Sequence, residues 1–294
     1  MTFEAAPDLR QLRTGAILNT ASGSCEADAQ QELDAILAEA GVSLAKTWCG
    51  GGEVVGPALE EAGSQALDFL IVLGGDGTIR SAAETCTDKG PLLMPLPGGT
   101  MNMLPKALYG DVTWQTALRS TLTAPAIQPV NAGRIGDKQF FVAAILGAPS
   151  LWGEAREAMR EGDVGRALGQ GLEALKHAFK RDLRYAFDGQ RGEAEAVSVL
   201  CPLTSKALAD DTAVLEAAVL THANALDAMR LATTFMFSDW RQDPDVVTAK
   251  VRRIEVESAG SISAILDGET MEFAETLTVD FVAAAFKAVV PAER

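Results

Sequence analysis

The chain has 294 residues, enough for about two domains of ordinary size. Hydrophobic residues make up 48% and charged ones 22%, which suits a folded chain and excludes wholesale disorder. The 25 Lys and Arg are outnumbered by 40 Asp and Glu, a net charge of −15. That balance opposes general nucleic-acid binding and, at first sight, docking on anionic membrane.

The longest nearly unbroken apolar run, Phe140 to Pro149, falls far short of the roughly 20 residues of a membrane-spanning helix. Met1 to Arg13 carries no apolar segment behind a basic one, so no secretory signal is read and a cytoplasmic location is expected. Cys25, Cys49, Cys86 and Cys201 lack paired spacing and read as reduced thiols, neither a disulfide framework nor a zinc site. The two histidines, His177 and His222, read as ordinary helix residues.

In chain order, the first part alternates strand and helix. Gly15 to Asn19 is a short apolar run ending in a polar turn. Residues 26–40 place Ala29, Leu33, Ile36, Leu37 and Ala40 at helical spacing. Val42 to Trp48 reads as a second strand, the Gly50-Gly51-Gly52 stretch as a loop and residues 53–66 as a helix. Phe69 to Leu73 is apolar throughout, as expected of a strand buried on both faces of a parallel sheet. A glycine-rich turn and a helix over about 78–87 follow, then the strand Leu92 to Leu96, a second glycine turn and another helix. This order predicts a three-layer α/β domain with a parallel sheet.

After about residue 125 the pattern changes. Pro129 to Ile135, Gln139 to Leu146, Arg184 to Asp188, Val197 to Leu200, Val214 to Thr221, Val251 to Glu257 and Ser261 to Leu266 read as strands of an antiparallel sheet or sandwich. Helical stretches interrupt them at roughly 154–181 and 224–238.

Two loops carry chemistry. Gly74-Gly75-Asp76-Gly77-Thr78 sits between a buried strand and a helix. Its glycines let backbone approach a ligand closely, the helix start offers N–H groups and a positive dipole end to phosphate, and Asp76 is suited to Mg²⁺ or to a hydroxyl proton. A tight turn with a capping Asp or Thr is the plain alternative. Ligands of open α/β sheets bind outside the carboxyl ends of strands, and that position favours function. Pro97-Gly98-Gly99-Thr100-Met101-Asn102 follows the next buried strand, so both loops would face one crevice. No Gly-x-x-x-x-Gly-Lys is present, which excludes a P-loop.

These loops resemble those of the diacylglycerol kinase catalytic-domain family, which includes sphingosine, ceramide and bacterial lipid kinases. The family's Gly-Gly-Asp-Gly-Thr loop is present, and Pro97, Gly99, Thr100 and Asn102 match its Pro-x-Gly-Thr-x-Asn loop. Asn19-Thr20-Ala21-Ser22-Gly23 resembles its Asn-Pro-x-Ser-Gly turn, with Thr20 in place of Pro. Gly165 to Leu175 resembles a later helix. Leu266-Asp267-Gly268-Glu269 resembles a late Asp-Gly-Glu motif. Asp210-Asp211 before Leu215-Glu216 resembles an Asp-Asp-Gly-x-Leu segment, with Thr212 where Gly is usual.

The resemblance implies an NAD kinase/diacylglycerol kinase-like fold: an N-terminal α/β domain (residues 1–125 with about 280–294) and a C-terminal antiparallel β-sandwich (126–279), with ATP in a cleft between them. It implies transfer of the γ-phosphoryl group of ATP, with Mg²⁺, to a lipid hydroxyl of diacylglycerol, ceramide or a sphingoid base. Asn19, Ser22, Gly74, Gly75, Gly77, Thr78, Gly99, Thr100 and Asn102 fit the nucleotide role. Asp76 fits contact with Mg²⁺ and phosphate. Asp267 is the expected general base, with Asp76 second. Asp210, Asp211 and Glu269, with oxygen ligands of the kind Mg²⁺ prefers, are candidates for a second cation site, against the plain reading of a solvated turn.

Lys176, Lys180, Arg181 and Arg184 cluster around one acid, Asp182, near Leu172, Leu175, Phe179 and Leu183. They are the expected membrane-facing patch for transient, peripheral contact, although charge runs are usually solvated helix faces. Lys250, Arg252 and Arg253 form a second basic group. Two other readings are an NAD kinase-like enzyme, which shares the first loop, and a nucleotide-binding protein without catalysis. The second loop and the late Asp-Gly-Glu disfavour the former. Asp76, Asp267 and Glu269 together disfavour the latter.

Overall fold

The computed structural model describes residues 4–87, 89–147, 183–208, 211–220 and 246–292. The chain folds as two compact units, one formed by Met1–Ala132 with Val282–Arg294 and the other by Gly133–Phe281.

The first unit contains β1 (Glu4–Ala5), β2 (Thr14–Asn19), α1 (Ala29–Glu39), β3 (Leu44–Gly50), α2 (Gly52–Ser64), β4 (Phe69–Gly74), α3 (Asp76–Thr85), β5 (Leu92–Pro97), α4 (Met103–Tyr109), α5 (Trp114–Thr123) and most of β6 (Pro125–Ile135). Its parallel sheet has the order β3-β2-β4-β5. Every residue of β2 and β4 is buried, which explains the apolar run of β4 and of residues 15–18 in β2. Right-handed crossovers put α1 on one face and α2 and α3 on the other. The packing agrees, because α2 contacts α3 and α1 contacts α5. The chain steps from β2 outward to β3, then returns to place β4 on the other side of β2. This reversal is a topological switch, and it opens a crevice beyond the carboxyl ends of β2 and β4. Residues 282–291 return to the unit at its far edge, where Ala288 pairs in parallel with Leu93. Tyr109 Oη donates to the Val289 carbonyl at 2.9 Å.

The second unit is a sandwich. It holds β7 (Lys138–Phe140), β8 (Ala143–Leu146), β9 (Leu183–Phe187), β10 (Gln190–Ala194), β11 (Ala196–Leu200), β12 (Leu215–Leu220), β13 (Val246–Val251), β14 (Arg253–Ser258), β15 (Ile262–Leu266), β16 (Glu269–Phe273) and the start of β17 (Thr276–Pro291). One sheet runs β13-β12-β11-β8-β15-β16, and the other runs β10-β9-β14-β17. The pairings within both sheets are antiparallel. Alternate residues of both meet in one core, including Leu146, Val197, Val199, Leu215 and Val219 from the first sheet and Leu183, Phe187, Ile254, Val256 and Val279 from the second. Side chains of this kind contribute roughly 1.5–3 kcal/mol each when fully buried.

The α/β-plus-sandwich class therefore stands, with local differences. The run expected as one strand over 139–146 divides into β7 and β8, because the Phe141 and Val142 N–H groups turn to a carboxylate instead of a neighbouring strand. The run 251–257 also divides. Val251 ends β13 in one sheet and Arg253 begins β14 in the other, while the Arg252 carbonyl accepts from Phe281 N–H at 2.8 Å. β1, β10, β16, β17 and all of β13 before Val251 have no counterpart among the strands expected from the sequence. The helices expected at 154–181 and 224–238 lie outside the described residues. Among the described residues, no helix is long and apolar enough to cross a membrane.

Candidate nucleotide site

The switch crevice is where the first unit gathers its unusual residues. β2 ends at Asn19, whose side chain is nearly buried. Its Oδ1 accepts from Ala21 N–H at 3.1 Å, which turns the chain, and its Nδ2 donates to Thr78 Oγ1 at 2.9 Å. Ser22 Oγ accepts from Gly75 N–H at 3.0 Å. The segment after β2 is thereby fastened to the glycine loop after β4.

The two glycine loops touch. Gly98 N–H donates to the Gly74 carbonyl at 2.9 Å. A Cβ on Gly99 would lie 2.6 Å from Gly75 Cα, and one on Gly98 would lie 2.8 Å from Gly74 N. Both obstacles are backbone and have no room to yield, so glycine is required where the loops cross. Asn102 adopts a left-handed conformation with φ of 51°. Its side chain closes the second loop on itself: Oδ1 accepts from Gly99 N–H and Nδ2 donates to the Gly99 carbonyl, each at 2.7 Å.

Asp76 joins the loops from the other side. Asn102 N–H donates to Oδ2 at 3.1 Å and Met103 N–H donates to Oδ1 at 2.6 Å. These are the first amides of α4, so the carboxylate caps that helix and meets its positive dipole end. α3 begins at Asp76, two residues before its expected start, and no side chain caps it at Gly75. Gly77 and Thr78 lie in its first turn, and Thr100 is exposed on the rim.

Beside the second loop opens a cleft of about 740 Å³, lined by Gly99, Thr100, Asn102, Lys106, Glu32 and Trp114 among others. Lys106 stands one helical turn beyond the second loop, with Nζ 3.1 Å from Asp111 Oδ1. The sequence reading missed it. A basic residue four positions after Asn102 was the available signal.

The second-unit candidates are placed differently. Asp267 begins the turn between β15 and β16, and both Asp267 and Gly268 have positive φ, at 47° and 87°. Its carboxylate is buried and accepts from three backbone N–H groups: Phe141 at 2.7 Å, Val142 at 2.9 Å and Ala143 at 3.0 Å. Burial pushes the Cys201 thiol well above its usual range, and the charge of Asp267 pushes it further.

The expected oxygen-rich site of Asp210, Asp211 and Glu269 does not assemble as proposed. Asp210 lies outside the described residues. Asp211 precedes β12, while Glu269 opens β16, four strands away in the same sheet. Strands are spaced by about 4.8 Å, which separates β12 from β16 by about 19 Å. Asp211 Oδ2 instead faces Lys250 Nζ at 3.6 Å. Among the described residues, no group of three or more His, Cys, Asp or Glu side chains is arranged to hold a metal ion.

Of the basic patch, Lys176, Lys180 and Arg181 lie outside the described residues. Arg184 is exposed and pairs with Glu257 at 3.3 Å. In the second basic group, Arg252 stacks over the Phe281 ring at 5.3 Å, and Arg253 faces Asp280 at 3.6 Å.

Comparison with known proteins adds a separate line of observation. The family profile of the diacylglycerol kinase catalytic domain matches residues 13–135. The diacylglycerol kinase of Bacillus subtilis (strain 168) is 25% identical over 231 residues, covering 72% of this chain and 74% of its own length. That of Staphylococcus aureus (strain JH9) is 24% identical over 223 residues, covering 71% and 70%. The crystal structure of a diacylglycerol kinase from Bacillus anthracis str. Sterne superposes with a TM-score of 0.69 over 99% of this chain and 98% of its own, at 18% identity. That likeness establishes the fold.

Proposed function

We propose that this chain, whose residues 13–135 match the diacylglycerol kinase catalytic-domain profile, is a lipid kinase that takes its phosphoryl group from ATP. The carrying observation is the crossing of the two glycine loops at the strand-order switch, with Gly99 packed on Gly75. Backbone brought so close, beside a helix start without a side-chain cap, is suited to polyphosphate. In this reading Gly74, Gly75, Gly77, Thr78, Gly99 and Thr100 cradle the phosphates. Asn19, Ser22 and Asn102 hold the three segments in register. Lys106 supplies positive charge to a cleft whose other charged lining residues are the acids Glu26, Asp28, Glu32 and Asp111.

Mg²⁺ would come with the nucleotide and neutralise charge on its phosphate oxygens. Asp76 is the carboxylate that would face it. The acceptor is the hydroxyl of a lipid such as diacylglycerol, ceramide or a sphingoid base. We assign its proton to Asp267. Its three bonds from backbone N–H groups hold the carboxylate in a fixed position. Phosphoryl transfer tolerates a weak base, because its transition state is loose and has little bond formation to the nucleophile. The basic group of Lys176, Lys180, Arg181 and Arg184 is proposed to meet the lipid surface, and neutralising Lys180, Arg181 and Arg184 together should weaken liposome binding.

The test is transfer of label from γ-labelled ATP to a panel of these lipids in mixed micelles, with NAD as a further acceptor. Labelled phospholipid is expected. In Gly99→Ala, which drives a methyl into Gly75, kcat/KM should fall by about 10²-fold or more, the scale seen when catalytic positioning is disturbed. Transfer to NAD alone, or ATP binding with no transfer, would overturn the lipid kinase reading.

A further inference from the structure

We propose that the two strands joining the units form a hinge whose pivot is Ala284, held by Asn131, and that this pair is a positioning element for phosphoryl transfer. The chain passes between the units twice, after Ala132 and after Phe281. Each passage lies inside an unbroken strand, β6 or β17, and the two strands pair with each other. Just beyond the second passage, Ala284 has a φ of 45°. Left-handed backbone suits Gly, and also Asn and Asp, whose side chains bond locally. Among the described residues, the other non-glycine positions with positive φ are Asn102, Asp188 and Asp267. Each of those lies in a turn or at a helix start. Ala284 has no polar side chain and stands inside a strand. Asn131 supplies what it lacks, for its Oδ1 accepts from Ala284 N–H at 2.8 Å. Backbone strain of this kind persists only where its surroundings hold it, and it gathers at switch regions and functional sites.

The crossing is anchored on both sides. In the second unit, Gly133 of β6 lies so close to the Phe140 ring that a Cβ would come within 2.0 Å of it. Phe281 of β17 donates its N–H to the Arg252 carbonyl at 2.8 Å, and the Arg252 guanidinium covers its ring. In the first unit, Ala288 pairs with Leu93, and the Val289 carbonyl accepts from Tyr109. Between these anchors Val282 and Ala284 are half-buried and Ala283 is exposed. Hinges are short stretches of this sort, where a few residues absorb a change in φ and ψ while the parts on either side stay rigid. The role in transfer rests on the lipid kinase reading, which takes Asp76 and the glycine loops from the first unit and Asp267 from the second. On that reading transfer needs groups carried by both units, whereas ATP binding needs the loops of the first.

The test joins kinetics to amide hydrogen exchange on the full chain. Asn131→Ala should lower kcat by about 10²-fold, the scale of a misplacement of about 1 Å, and leave the KM for ATP unchanged. Adding Ala284→Gly to that variant should bring kcat back to within about threefold of the parent, because glycine takes the left-handed conformation unaided. Ala284→Val, a β-branched residue that resists positive φ, should reproduce the loss with Asn131 intact. In exchange, residues 282–287 should lose protection in Asn131→Ala while β4 and β15 keep theirs. Unchanged exchange in 282–287 would overturn the hinge. An unchanged kcat in Asn131→Ala, or a loss that Ala284→Gly does not restore, would overturn the positioning role. A parent that labels no lipid would instead overturn the kinase reading, and exchange, which needs neither ATP nor lipid, would still decide the hinge.

Discussion

At Asp267 one carboxylate meets the N–H groups of Phe141, Val142 and Ala143, and two demands converge on it. The first is structural. Asp267→Asn would replace one accepting oxygen with an NH₂ that faces a backbone donor, and a buried donor left unpaired costs about 1–3 kcal/mol. The second is the proposed proton transfer, for which loss of a base typically lowers the rate by about 10²–10⁴-fold. The two separate by measurement: kcat in Asp267→Asn should fall by that factor while ATP affinity, read by direct titration, stays unchanged. If kcat holds while only the melting temperature drops, Asp267 is a clamp on the 141–143 segment and nothing more. The Asp-Gly turn itself was legible, because two consecutive residues of positive φ favour that pair. Its donors were not. They come from more than a hundred positions earlier, and Phe141 and Val142 look like ordinary strand residues until the carboxylate takes their amides.

On the scale of elements, the short helix α4 depends on a residue outside itself. Asp76, at the head of α3, accepts from the first amides of α4, so the two helices and their glycine loops are ordered together. Asp76→Ala should cost roughly 1 kcal/mol from the lost cap, or about 2–4 °C in melting temperature for a chain region of this size. Calorimetry checks the stability, and the KM for ATP should rise in the same variant because the second loop loosens. Unchanged melting with impaired transfer would move Asp76 from scaffold to chemistry alone. The parallel strands, their helices and the existence of both loops were readable from hydrophobic period and glycine spacing. The cap was not, because it joins residues 26 positions apart and Asp76 equally resembles a cap of its own helix. In the sandwich, alternation marked most strands. It failed at Arg252, where the chain changes sheets without any turn residue to mark the exchange.

For the molecule as a whole, the thiols set its behaviour at high pH. Burial pushes Cys86 up to about 12 from an ordinary value of 9.0, and burial also raises Cys25 and Cys201. Cys49 is exposed. In the unfolded chain these thiols ionise near 9, while in the folded chain Cys86 keeps its proton until about 12. The unfolded state therefore binds fewer protons across that window, and stability should fall as pH rises through it. Urea titrations of Cys86→Ala should show a shallower decline between those limits, and a decline as steep as the parent's would remove Cys86 as its source. The return of residues 282–291 to the first unit has a consequence for synthesis. Leu93 waits for Ala288, about 200 residues later, or roughly 10–40 s at ordinary elongation rates. Throughout that interval the nascent chain carries an open edge at β5 beside its finished glycine loops. The first unit is encoded early and completed last, so a ribosome that stalls anywhere in the sandwich leaves a domain with its glycine loops formed and its edge unsealed.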